Sequence, residues 1–181
     1  MLSLVLVSVA FAGTPTTFAV PGDAATIQGA IELAADGDTV LVAPGTYVEQ
    51  LDLLGKAITV RATAGPKQTV IDSQGQEVWF DSPYAPVVRM VNGEGPGTEL
   101  IGFTITGAND PSGFGGGGVS GVYAAGATPT LRNCRIENIV GGPGVYTDGA
   151  IENCRITGNS SLPYGDGGGV SGAPTITNSV I

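Results

Sequence analysis

Leu131-Arg132-Asn133-Cys134-Arg135-Ile136 returns almost unchanged as Ile151-Glu152-Asn153-Cys154-Arg155-Ile156, and this hexapeptide decides the fold. Looser copies stand at Leu100-Ile101-Gly102-Phe103-Thr104-Ile105 and Ile176-Thr177-Asn178-Ser179-Val180-Ile181. The starts are separated by 31, 20 and 25 residues, with glycine-rich sequence between them. Unequal steps around a constant phrase describe coils climbing one axis, each coil repeating its turn and varying its loop. A coil of that length holds short strands that stack in register on those of the next coil, so the reading is a parallel β-solenoid.

Stacking sorts the side chains. Leu100, Leu131, Ile151 and Ile176 form one inward column, and Ile105, Ile136, Ile156 and Ile181 form a second. Each residue, once fully buried, contributes roughly 1.5 to 3 kcal/mol. Cys134 and Cys154 occupy equivalent inward positions, with Phe103 and Ser179 in the coils on either side. Two readings stay open for them: stacked free thiols, which behave as small apolar groups, or a disulfide between coils. Asn133, Asn153 and Asn178 fall at one turn, where an amide ladder from coil to coil is expected. Arg132 and Glu152 share a column and are expected to pair across coils. The second half of the repeat is read at Val119-Ser120, Val145-Tyr146 and Val170-Ser171, spaced by 26 and 25 residues.

Before the repeats, Ile27, Ala30, Ile31, Leu33 and Ala34 follow helical spacing between Asp23 and Asp36, and Asp23 is the predicted cap. Short strands are predicted at Thr39 to Val42, Val48 to Leu54, Ile58 to Arg61, Thr69 to Ile71 and Val87 to Val91. The apolar run Leu2 to Phe11, closing on Ala10-Phe11-Ala12, reads as the later part of a secretory signal over residues 1–12. The domain then runs over 13–181 as one parallel β-helix, expected to be truncated at its C-terminal end because the fourth repeat leaves an uncovered apolar column.

Composition narrows the chemistry. Thirty glycines and twelve prolines in 181 residues favour turns over long helices. Seven basic residues against sixteen acidic ones give a net charge of -9, which repels nucleic-acid phosphates and anionic membranes. No apolar run is long enough to span a bilayer. The chain has no histidine, so the commonest general base and the commonest metal ligand are both missing. Two cysteines alone do not make a metal site.

The segment Thr26-Ile27-Gln28 through the helix, then Gly37-Asp38-Thr39-Val40-Leu41-Val42-Ala43-Pro44-Gly45-Thr46-Tyr47-Val48-Glu49, Lys56-Ala57-Ile58-Thr59-Val60 and Thr69-Val70-Ile71-Asp72, resembles the opening of right-handed parallel β-helix proteins of the pectin-lyase-like superfamily. The Asn-Cys repeats resemble the later coils of exported bacterial members without assigned chemistry. The resemblance implies an all-β solenoid with a short N-terminal capping α-helix. It leaves activity open, since that superfamily holds lyases, hydrolases, esterases, epimerases and inert surface modules.

The aspartate clusters and basic clamp of the hydrolases in that group, and the later Gln-Asp and Asp-Phe elements of its esterases, have no counterpart in this chain. The leading reading is therefore a non-catalytic, secreted or cell-surface module that binds carbohydrate or a partner. The alternative is a polysaccharide lyase, with Arg135 or Arg155 removing the proton and Ca²⁺ entering only under that reading; otherwise no cofactor is expected. Asp148 and Asp166 are the nearby oxygen donors, though they fall in different columns and two carboxylates do not fill a calcium shell. Alternation along the strand places Arg135 and Arg155 outward. Trp79 and Tyr84, in the irregular segment Glu77 to Pro86, and Tyr146 in the repeat are the aromatic binding candidates, with Asp148 and Asp166 beside them. A trimeric shaft is a third reading. The glycine run of Gly107 to Gly118 lacks the Lys-Ser/Thr of a phosphate cradle and serves as a bend.

Overall fold

The computed structural model describes residues 13–75, 86–109, 119–161 and 167–181. The expected signal segment, Trp79, Tyr84, Asp166 and most of the glycine-rich loop before Val119 lie outside the described residues.

Seventeen short strands in the described residues wind through three parallel sheets, each strand pairing with its counterpart one coil away. The first sheet holds β1 (Thr17–Val20), β2 (Thr39–Val42), β5 (Thr59–Ala62), β8 (Glu99–Ile101), β11 (Thr130–Arg132), β14 (Ala150–Glu152) and β17 (Thr175–Thr177). The second holds β3 (Gly45–Tyr47), β6 (Thr69–Asp72), β9 (Thr104–Thr106), β12 (Arg135–Glu137) and β15 (Arg155–Thr157). The third holds β4 (Leu51–Asp52), β7 (Val88–Arg89), β10 (Val122–Ala124), β13 (Val145–Thr147) and β16 (Val170–Ser171). From β2 onward the chain visits the sheets in that order and returns to the first, so successive strands lie in different sheets; β1 and β2, with the helix between them, both belong to the first.

The inward columns read from the repeat are present. Leu100, Leu131, Ile151 and Ile176 are in register on the first sheet, with Val40 and Val60 continuing the column toward the N-terminal end. On the second sheet Ile71, Ile105, Ile136 and Ile156 are in register. Leu51, Val88, Val122 and Val145 close the core from the third sheet, and all four are fully buried. At the far end the columns open to solvent, with Ile176 and Ile181 44% and 53% exposed.

Three expectations need correction. The third-sheet column contains Val122, which pairs with Val145, rather than Val119. Val119 is buried but stands before the strand; burial alternates over Val122-Tyr123-Ala124, and that alternation sets the register. The turn asparagines form no amide ladder. Asn133, Asn153 and Asn178 are exposed, and among the described residues no side-chain hydrogen bond joins them. They hold φ of 55°, 52° and 49°, and Gly102 holds 82° at the equivalent place, so the two-residue corner between first and second sheets requires a left-handed residue. Asparagine tolerates that region better than other residues with a side chain.

The helix α1 is shorter than expected, Ile27–Leu33, and its cap is Thr26, whose Oγ1 accepts the Gly29 N–H at 3.0 Å. Asp23 serves the preceding turn instead, accepting the Ala19 N–H at 2.8 Å. Both helix ends are tied to the solenoid. The Glu49 carboxylate accepts the N–H groups of Ile27 and Gln28, and Lys56 Nζ donates to the carbonyls of Ile31, Glu32 and Ala34. Ile27, Ala30 and Ile31 are buried, so the helix caps the N-terminal end of the core.

Candidate functional site

Alternation on the third sheet turns one side chain of each strand outward, and the register stacks these into a column: Asp52, Arg89, Tyr123, Tyr146 and Ser171. Inward neighbours on each strand fix the column from behind, because valine or leucine is buried at every coil but the last. The base of the column is tightly held. Asp52 Oδ2 accepts from Arg89 Nη1 at 2.8 Å, while Oδ1 accepts the Leu54 N–H at 2.8 Å and the Asn92 side-chain amide at 3.3 Å. The Gln28 amide clasps the Asp52 backbone from both sides, and buried Glu94 accepts the N–H groups of Gly55 and Asn92.

The Arg89 side chain is 37% exposed above a carboxylate that is 7% exposed, so the guanidinium is oriented by Asp52 and still reaches solvent. Directly along the column, the rings of Tyr123 and Tyr146 lie with centroids 5.3 Å apart and planes tilted by 40°. Both rings are half-buried. Such a pair is worth about 0.5 to 1.5 kcal/mol beyond its buried area, and it sets two partly exposed aromatic rings next to each other on the outer face of the sheet. Next to a fixed guanidinium, this is a surface suited to stacking against a flat, hydroxyl-rich ligand.

Of the residues singled out from sequence, Tyr146 stands in this column. Asp148 lies just beyond it, at the turn toward the first sheet, where its Oδ1 accepts the Ala173 N–H of the next coil at 2.9 Å. Arg135 and Arg155 are on the second sheet, in register with each other, and the structure does not bring them to Tyr146 or Asp148. The arginines point outward between buried neighbours, as alternation requires. Arg132 joins Glu152 at 2.8 Å as expected and also reaches Glu99 at 3.1 Å. Among the described residues the donor set does not fit Ca²⁺: Asp148 is engaged as a turn clasp, and no three His, Cys, Asp or Glu side chains cluster as ligands.

Tyr123, Arg89 and Asp52 were not legible as a site. A signal for Tyr123 exists in Gly121-Val122-Tyr123, which repeats as Gly144-Val145-Tyr146. No such repeat marks Arg89 or Asp52, whose partnership depends on register across 37 residues.

Four chains of solved structure match this one, among them the pectin methylesterase from carrot, at 14% identity and a TM-score of 0.51. The match covers 87% of this chain and 56% of that one, so the chain spans little more than half of the solved protein's length. The fold is a right-handed parallel β-helix. No family model and no curated protein matches the chain. Within this β-helix, no helix among the described residues is long and apolar enough to cross a membrane.

Proposed function

We propose that the chain is a non-catalytic, extracellular or cell-surface β-helix module that binds carbohydrate along its third sheet. The observation that carries this reading is the Tyr123–Tyr146 pair in register with the Asp52-anchored Arg89. Aromatic faces take up the apolar face of a sugar ring, and a fixed guanidinium donates to ring or hydroxyl oxygens. Two further points support it. A fold neighbour is named for action on pectin, a polysaccharide. The apolar run closing on Ala10-Phe11-Ala12 has the form of an export signal. The lyase alternative draws less support, because its arginines sit on a different sheet from the aromatic column and have no calcium-ligating partners among the described residues.

The test is a binding titration of the chain with neutral and uronic oligosaccharides, alongside assays for unsaturated or new reducing ends. Binding without product, weakened tenfold or more in Tyr123→Ala and Tyr146→Ala, is the expected result. Release of sugar ends, or binding unchanged in both variants, would overturn it.

A further inference from the structure

We infer that Arg135 and Arg155 form an oxyanion-binding site on the second sheet that takes a carboxylate or sulfate substituent of an acidic glycan. The identity of the carrier as a glycan rests on the proposal above; the anion site itself stands on separate observations.

The two arginines are direct register partners on β12 and β15, so their Cα atoms are about 4.8 Å apart. Like charges directly opposite on neighbouring strands are destabilising, and the arrangement calls for a neutralising group. Other cations of the β-helix are differently placed, Lys67 standing exposed in the turn before β6. Lys56 is committed to three helix carbonyls, Arg89 to Asp52, and Arg132 to Glu99 and Glu152. Arg61 stands opposite Leu41 and Ile101, next to no second cation. Among the described residues, neither Arg135 nor Arg155 forms an ion pair. The column continues to Thr104 on one side and Val180 on the other, so no acid flanks the pair in register. Glu137 shares the outward face two residues along β12 and is opposite Thr157, without pairing to either arginine.

The scaffold beneath is stiff. Cys134, Ile136, Cys154 and Ile156, the inward neighbours of the two arginines, are no more than 3% exposed. The bases of both side chains are thereby fixed, while Arg135 is half-buried and Arg155 exposed. Two guanidinium forks rising from register-paired positions can bring N–H donors to one oxyanion, a recognition that suits carboxylate and sulfate and that lysine does not reproduce. With a net charge of -9, the chain as a whole repels anions, so binding there would be local to the pair and sensitive to salt.

The experiment titrates the whole chain, wild type and Arg135→Gln/Arg155→Gln, with sodium sulfate, an oligogalacturonate, a sulfated oligosaccharide and a neutral oligosaccharide at matched ionic strength. Binding of at least one anionic glycan, weakened tenfold or more in the double variant and several-fold in Arg155→Lys, is expected; the preferred arm tells carboxylate from sulfate. Thermal melting guards against misfolding: in low-salt chloride the double variant melts no lower than wild type, since repulsion has been removed, and sulfate raises its melting temperature less. Equal anion binding by the double variant, or no anion binding by wild type, overturns the inference. Failure of the tyrosine face is seen separately, as neutral-oligosaccharide binding that Tyr123→Ala leaves unchanged.

Discussion

The backbone N–H of Cys134 donates to Cys154 Sγ at 3.4 Å, which places the two thiols of adjacent coils in one buried stack. Both are free thiols, and the sulfurs also reach carbonyls, Cys134 Sγ to Leu100 and Arg132, Cys154 Sγ to Leu131 and Glu152. The hydrogen bond with Cys154 and burial together push the Cys134 thiol well above its ordinary 9.0, while the same bond draws the Cys154 thiol below it; the larger shift is the upward one at Cys134. A raised thiol favours the folded state while the unfolded thiol is still protonated, and that contribution is lost as pH climbs above about 9. Denaturant midpoints measured between pH 7 and 10.5 should therefore fall on the alkaline side, and less steeply in Cys134→Ala. Thiol reagents should modify neither cysteine quickly until denaturant is added; rapid labelling of the native chain would contradict the buried stack.

Acid acts through Asp38. Its two oxygens accept the N–H groups of Ala35 and Thr16 at 2.8 and 2.7 Å, and these bonds, with Lys56 nearby, hold the carboxyl below its ordinary 3.8. A lowered carboxyl stabilises the fold above the unfolded value, and that contribution disappears as pH falls through the folded one. Stability should drop below about pH 4 in wild type, with a shallower acid limb in Asp38→Asn. Identical limbs in both proteins would show that Asp38 is not responsible.

How far the sequence carried depended on whether a feature repeats. The Leu/Ile columns and the paired cysteines recur at fixed offsets from the turn, so register could be read from spacing alone. Val119-Ser120 resembles Val170-Ser171 in sequence but stands three residues before the register position, and Gly121, one residue before Val122, has no room for a Cβ beside the Gly144 carbonyl. That offset conceals Tyr123 as the partner of Tyr146. Arg89 and Asp52 come from early coils with no shared phrase, where only pairing across the solenoid reveals that they meet. The turn asparagines stand where the spacing puts a corner, and their left-handed φ is the part that spacing does not carry.

Lys56 couples the capping helix to the coil below. Its Nζ lies 2.7, 2.9 and 2.8 Å from the carbonyl oxygens of Ile31, Glu32 and Ala34, covering the C-terminal end of α1 where the helix dipole is negative. Lys56→Met keeps the stem and removes the charge and donors. A loss of about 1 to 2 kcal/mol in urea unfolding is expected from charged hydrogen bonds at a half-buried site. A loss within experimental error would mean that water replaces the ammonium at no cost.

Asn153 distinguishes a corner requirement from an amide ladder. It is exposed, holds φ of 52°, and its backbone N–H donates to the Thr177 carbonyl one coil on. If the corner needs only a left-handed residue, Asn153→Gly supplies one without a steric cost and should change stability by little, as native Gly102 does at the same place. Asn153→Ala forces a Cβ into that region and should cost about 1 to 2 kcal/mol. A ladder would reverse this logic, because glycine and alanine remove the amide equally and would destabilise alike. Urea midpoints for the two variants decide between them, and the contrast should recur at Asn133, where the same corner stands with φ of 55°.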